Sequence, residues 1–169
     1  MAPGAHVNHQ EGYMKGNIKV VERLNVLLAD ELTAISQYIV HSEMCSNWGY
    51  ARLHDAAEKR AIDEMKHAEK LIGRIIFLEG SPIVGQLNPM HIGADLPSQL
   101  KNDWAAESGA ISMYNDSIRL AGDSADAGTR EMLEDIIEDE EEHIDWLEAQ
   151  QVQIDQMGLQ NYLLAQVAH

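Results

Sequence analysis

The sequence predicts an all-α chain: one four-helix bundle, a long crossover loop at about residues 80–95, and a short C-terminal fifth helix. Three observations point there. Apolar residues return every three or four positions over four long stretches. Aromatic residues make up only 5% of the chain, while Leu, Ile, Ala, Met and Glu dominate, which favours helix over sheet. The break between the second and third stretches is far longer than the roughly 2–8 residues that usually join bundle helices.

The first stretch runs from about Ile18 to Met44 through Val21, Leu24, Leu27, Leu28, Leu32, Ile35 and Ile39, and Asn47-Trp48-Gly49 breaks it. The second runs from about Tyr50 to Glu79, with Gly80 as its stop. Residues 80–95 show no helical period and hold two of the four prolines. A helix of some 30 residues is roughly 45 Å long, and 16 extended residues reach about 50 Å. The loop can therefore run the height of the bundle and restart the chain at the other end. A third helix is expected over about Leu96–Leu120, with Pro97 in its first turn, before a break at Gly122-Asp123-Ser124. A fourth is expected over about Ala127–Met157, stopped by Gly158. The fifth, Leu159–Val167, is too short to stand alone and should dock on the bundle or on a neighbouring subunit.

With 169 residues, 45% of them apolar, the chain suits one domain with a sizeable core. No run approaches the roughly 20 apolar residues of a membrane span. A net charge of −16 argues against nucleic-acid binding and suits the attraction of cations, although solubility alone also explains it. The single Cys45 excludes an intramolecular disulfide and reads as a small packing residue. Residues 1–13 read as a flexible leader, with His6 and His9 solvated, and the domain as residues 14–169. The start lacks the basic-then-apolar pattern of a secretory signal, so a cytoplasmic location is expected. His41, His54 and His91 are read as surface or packing residues.

Two Glu-x-x-His units occur, Glu64-Met65-Lys66-His67 and Glu140-Glu141-Glu142-His143. Positions three apart share a helix face, which suits two ligands of one metal. The pattern alone is weak, because 16 glutamates and 8 histidines supply about 0.8 such pairs by chance. Placement makes the case. Glu31 precedes Glu64 by 33 residues and Glu107 precedes Glu140 by 33. The midpoints fall inside the two breaks, Asn47–Gly49 and Gly122–Ser124, so each glutamate stands level with its partner across an antiparallel hairpin. Glu31 also has Leu27, Leu28 and Ile35 on its own face. A core-facing carboxylate is costly unless paired or metal-bound. Four carboxylates and two imidazoles offer oxygen and nitrogen donors suited to iron or manganese. Glu31 and Glu107 are assigned as terminal ligands, Glu64 and Glu140 as bridging, with His67 and His143 one on each metal. Glu141 and Glu142 read as a solvated face. Tyr38 and Tyr114 each follow a glutamate by seven residues and share its face. Either can hydrogen-bond a ligand carboxylate or donate an electron in oxygen reduction, or simply pack. Trp146 reads equally well as packing.

Over Met14 to about Gln166 the chain resembles bacterioferritin, the haem-containing ferritin family. The matching stretches are Met14-Lys15-Gly16, Glu31-Leu32-Thr33-Ala34-Ile35-Ser36-Gln37-Tyr38, Ile62 to Glu69, Phe77-Leu78-Glu79-Gly80, Asp139 to Glu148 and Met157 to Leu163. The resemblance implies a ferritin-like di-iron domain and a hollow 24-mer built from two-fold dimers. It implies a ferroxidase that uses O2 or H2O2 to turn Fe2+ into a stored ferric mineral, with a ferredoxin as a partner for iron release. Two Fe ions per subunit are implied, with Mn or Zn as substitutes. Also implied is haem b shared between two subunits, with one methionine from each as axial ligand. Met65 matches that methionine, one residue past Glu64 and so turned about 100° from the metal face. Leu32, Ile35, Ile39 and Ile62 extend apolar surface toward that side, and a haem-free dimer interface is the alternative. Some relatives carry a histidine serving an inner-surface iron site where Lys59 stands, which puts that site in doubt here. Two other classes fit the ligand pattern less fully: a di-iron peroxidase or oxygenase without storage, and a purely structural helical bundle.

Overall fold

A computed structural model describes residues 15–167, so the expected leader over 1–13 lies outside the described residues. Five helices follow in order: α1 (Ile18–Trp48), α2 (Ala51–Phe77), α3 (Leu96–Asp123), α4 (Ala127–Met157) and α5 (Leu159–Gln166). The chain has the all-α architecture that its periodicity predicts, with α1–α2 and α3–α4 each forming a tight hairpin. Among the described residues no helix is long and apolar enough to cross a membrane.

The helix ends follow local chemistry. Asn17 caps α1 by accepting from the Lys19 N–H at 2.9 Å. Asp95 and Ser98 form a reciprocal capping box at the start of α3, with Pro97 in the first turn. Asp126 caps α4 by accepting from the Thr129 N–H. α1 runs through Asn47 and Trp48 and stops only at Gly49, whose φ of 82° closes the helix in the left-handed conformation. The other two turns depart from expectation. The left-handed residues are Glu79 (φ 61°) beside Gly80, and Ala125 (φ 55°), beyond the expected Gly122-Asp123-Ser124 break. Glycine marks the neighbourhood of these stops, not the strained position itself.

The crossover is extended and lies along α1, in the same direction. Four polar side chains on one stripe of α1 hold its backbone. Asn25 accepts from the Ile83 N–H and donates to the Ser81 carbonyl. Thr33 accepts from the Asn88 N–H at 2.8 Å, Gln37 from the His91 N–H at 3.0 Å and His41 Nε2 from the Gly93 N–H at 3.0 Å. A side chain at 93 would meet the Gln99 backbone at 2.3 Å, so only glycine lets the strap lie this close. His41 is thus the packing residue of the two readings offered, a buried clamp on the strap. His54 bonds Ser42 from a half-buried position, and the His91 side chain is exposed.

Two apolar clusters fill the bundle. The larger joins Val20 to Leu28 of α1 with Ala68 to Ile75 of α2, Ala110 and Tyr114 of α3, and Leu133 to Ile137 of α4. The smaller joins Cys45, Leu53, Leu96, Leu100, Leu147 and Tyr162. α5 docks on its own bundle: Tyr162 is fully buried and donates to Gln150 Oε1 at 2.9 Å. On every long helix the predicted metal-binding glutamate lies between residues of these two clusters.

Candidate metal centre

Each long helix brings one acid to the same level of the bundle axis, and the two Glu-x-x-His helices, α2 and α4, add an imidazole one turn on. Glu31, Glu64, His67, Glu107, Glu140 and His143 are all buried, none more than 7% exposed. They form two sets of mutually close donors. One is Glu31, Glu64, His67 and Glu140; the other is Glu64, Glu107, Glu140 and His143. Glu64 and Glu140 belong to both. Each set has one glutamate and one histidine of its own.

The distances define a compact polar chamber. His67 Nδ1 is 3.1 Å from Glu64, 3.0 Å from Glu140 and 3.7 Å from Glu31. His143 Nδ1 is 3.3 Å from Glu64, 3.3 Å from Glu140 and 3.6 Å from Glu107. Both rings aim Nδ1 inward and Nε2 outward. Glu64 Oε1, both Glu140 oxygens and His143 Nδ1 are buried without a hydrogen-bond partner among the described residues. Orphan acceptors in such a place are expensive. Two cations would satisfy all of them, so the donor set fits a pair of metal ions.

The tyrosines act crosswise. Tyr38 donates its hydroxyl to Glu107 Oε1, and Tyr114 donates to Glu31 Oε1. Each hairpin therefore orients the unshared glutamate of the other. Burial pushes both phenols well above their usual range, and neighbouring carboxylates add to it, Glu107 first for Tyr38 and Glu31 first for Tyr114. Both remain donors. Burial likewise raises all four carboxyls, Glu64 and Glu107 most clearly. For His67, burial opposes the charged form, but the neighbouring carboxylates of Glu140, Glu31 and Glu64 outweigh it and its pKa rises. All these shifts favour the protonated forms over an uncompensated cluster of carboxylates.

Two aspartates missing from the sequence-level site complete it. His67 Nε2 lies 3.1 Å from Asp139, and His143 Nε2 lies 4.0 Å from Asp63. A carboxylate behind a ligating imidazole fixes the ring and its tautomer. The signal was present, since an aspartate directly precedes the glutamate in both units, Asp63-Glu64 and Asp139-Glu140. Arg60 was also missed. It lies 3.9 Å from Glu107 with its guanidinium over the Tyr38 and Trp146 rings, so Trp146 packs against a buried charge. Behind the histidines a pocket of about 320 Å³ opens between α2 and α4. Lys59, Lys66 and Lys70 line its mouth, with Asp63, Asp139 and Glu142.

Met65 is 46% exposed and points away from the metal chamber. Ile39 and Ile62 are exposed too, whereas Leu32 and Ile35 pack partly against the main core.

Residues 21–157 match the family model of the ferritin-like domain. The chain is 40% identical to a bacterioferritin of Rhodobacter capsulatus over 155 residues, covering 92% of this chain and 96% of that protein. It is 41% identical to a bacterial ferritin of Paramagnetospirillum magnetotacticum over 152 residues, 89% of this chain and 93% of that protein. A bacterioferritin of Brucella melitensis is 38% identical over 149 residues, 88% of this chain and 92% of that protein. The fold, the buried Glu/His di-metal site and these near full-length matches agree: the chain belongs to the bacterioferritin family of ferritin-like proteins.

Proposed function

We propose that this protein stores iron by oxidising Fe2+ to Fe3+ at the six-residue centre and collecting the ferric product inside a shell of many copies. One observation carries the reading: two buried ligand sets that share Glu64 and Glu140 and leave four of their inward donors unsatisfied. Glu64 and Glu140 serve as the bridging ligands, Glu31 and Glu107 as the terminal ones, and His67 and His143 each bind one metal through Nδ1. When bound, the two ferrous ions supply one electron each to O2 or H2O2. The protein's own residues hold the ligands still: Tyr38 and Tyr114 steady the terminal carboxylates, and Asp139 and Asp63 steady the imidazoles. Of the two phenols, Tyr38 is also the candidate electron donor; Arg60 lies over its ring and over the ring of Trp146, whereas Tyr114 belongs to the apolar cluster.

A family role in iron binding and self-assembly supports the finer reading of a homo-oligomeric 24-mer built from two-fold dimers, with a ferredoxin as a redox partner for iron release. The exposed face of Met65, Ile39 and Ile62 fits a second copy of the chain, and Met65 is the residue that would hold a haem b shared between the two. The Met65 thioether of each subunit would serve as a ligand of the haem iron. Lys59 at the pocket mouth argues against an inner-surface iron site.

Stopped-flow oxidation of Fe2+ tests the centre. Glu31→Ala and His143→Ala should both abolish the rapid phase while the assembly keeps its size in electron microscopy. Unchanged kinetics in both variants would sink the assignment. For haem, reconstituted protein should show a Soret band that Met65→His shifts, and no band after reconstitution would refute the Met65 site.

A further inference from the structure

The two hairpins repeat with a shift of 76 residues: Glu31 matches Glu107, Tyr38 matches Tyr114, Glu64 matches Glu140 and His67 matches His143. The surroundings of the two tyrosines break this repeat. Beyond Tyr114, the positions equivalent to Ala57, Arg60 and Asp103 are Leu133, Ile136 and Leu27, three buried members of the main apolar cluster. On the Tyr38 side the same positions hold a small residue, a cation and an acid, and a cavity of about 30 Å³ lies among them. Leu53, Leu100 and Leu147 line its apolar part, and Tyr38 and Arg60, which both reach Glu107, line it on the metal side.

This space is costly. An unfilled core site forfeits contacts that a leucine would supply, and the relevant leucine is present at the mirror position. The Nη1 atom of Arg60 is buried with no hydrogen-bond partner among the described residues. Its ion pair to Glu107 at 3.9 Å is too long for a hydrogen bond, so a buried guanidinium N–H is left without an acceptor. Asp103, His41, Gln99, Cys45 and Tyr38 of the lining are already committed. Asp103 accepts from Gln37 and His41, and Gln99 accepts from the Cys45 thiol. The volume holds about two waters, or one molecule with two oxygens.

We propose that this cavity is a docking chamber for hydrogen peroxide on its way to the metal centre, with Arg60 Nη1 as the hydrogen-bond donor that holds it. The inference rests on the ferroxidase reading of the six-residue site. Peroxide matches the chamber in size, in its need for a donor and in carrying no charge. The overall step balances with the site's substrate: two Fe2+ give one electron each, the O–O bond breaks, two protons are taken up and two waters leave. Cys45 also lines the chamber. Burial, and then the Asp103 charge, push its thiol up to about 11. It therefore stays a thiol, the form that peroxide attacks slowly.

Two variants test the chamber. Ala57→Leu copies the mirror hairpin and fills the cavity; Arg60→Met keeps the length of the side chain and removes the donor. Crystals of metal-free protein soaked in hydrogen peroxide should show elongated density within hydrogen-bond distance of Arg60 Nη1, lost in both variants. Ordered water alone in the soaked wild-type crystal would overturn the proposal. In solution, Arg60→Met should slow peroxide-driven Fe2+ oxidation by at least about tenfold and O2-driven oxidation much less. Co2+ titration should still find two sites per subunit. Equal slowing with both oxidants, or no slowing with peroxide, would contradict it. Should Ala57→Leu not assemble, Arg60→Met carries the same decision. Failure of the wild type to oxidise Fe2+ with either oxidant would remove the ferroxidase reading itself, a result distinct from failure of the chamber alone.

Discussion

Hairpin α1–α2 supplies Glu31, Tyr38, Asp63, Glu64 and His67; hairpin α3–α4 supplies Glu107, Tyr114, Asp139, Glu140 and His143, each 76 residues later. At the metal chamber the halves are nearly interchangeable. Each gives one shared carboxylate, one unshared carboxylate, one imidazole and one phenol that crosses to the other half. One shell further out they diverge. Around Tyr114 the repeat positions are filled by leucine and isoleucine, while around Tyr38 they are Ala57, Arg60 and Asp103 beside a cavity. The comparison separates two demands. Holding two like metals needs near-symmetry, and admitting a reactant from one side needs that symmetry broken.

The largest effects should come from the shared ligands. Glu64→Ala and Glu140→Ala should each slow the initial oxidation of Fe2+ by more than about 100-fold, beyond what changes outside the ligand set cause. Stopped-flow rates for the pair should agree within about tenfold, and a wider gap would break the symmetry of the chamber.

The aspartates should separate the halves. Asp139 sits at hydrogen-bond distance from His67 Nε2, whereas Asp63 is 4.0 Å from His143 and also pairs with Lys66. Asp139→Asn should weaken Co2+ binding by about 10-fold or more, and Asp63→Asn less. Equal losses would show that the difference in distance carries no energy.

Tyr38→Phe and Tyr114→Phe should each destabilise the metal-free protein by about 1–3 kcal/mol, because a buried carboxyl loses its partner. Thermal unfolding checks this. A clearly larger loss for one would show that the crosswise bonds differ in strength.

The smallest effect is one of sign. Burial and mutual repulsion raise the four carboxyls, and carboxylate partners raise His67. Groups whose folded pKa lies above the unfolded value favour folding below the unfolded pKa and lose that contribution as pH rises through the folded one. The metal-free protein should therefore gain thermal stability from these groups as pH falls from neutrality toward the ordinary carboxylate range. The metal-loaded protein should lose stability over the same window, because protons displace the ions. Parallel slopes would contradict this electrostatic account.

Periodicity alone exposed the four long helices, because amphipathic stripes of this length have no competing reading. The ligand set was equally legible: equal 33-residue spacings about two turns fix which glutamates stand level. Helix ends were harder. α1 continues through Asn47-Trp48 because a helical backbone tolerates both, and the left-handed stops at Glu79 and Ala125 are not residues that advertise that conformation. The crossover strap was invisible for a different reason. Asn25, Thr33, Gln37 and His41 form a polar stripe that resembles a solvated face until the loop that covers it is placed. Arg60 and the cavity depend on contacts among all four helices, which no spacing encodes.

The central claim is that the two hairpins meet to hold two metal ions with Glu64 and Glu140 between them. Anomalous diffraction from crystals loaded anaerobically with Fe2+ tests it most directly. The account predicts two iron peaks about 3.5–4 Å apart, both inside the bundle, with Glu64 and Glu140 touching each and His67 and His143 on one each. A single peak, or iron bound only at the surface, would contradict it.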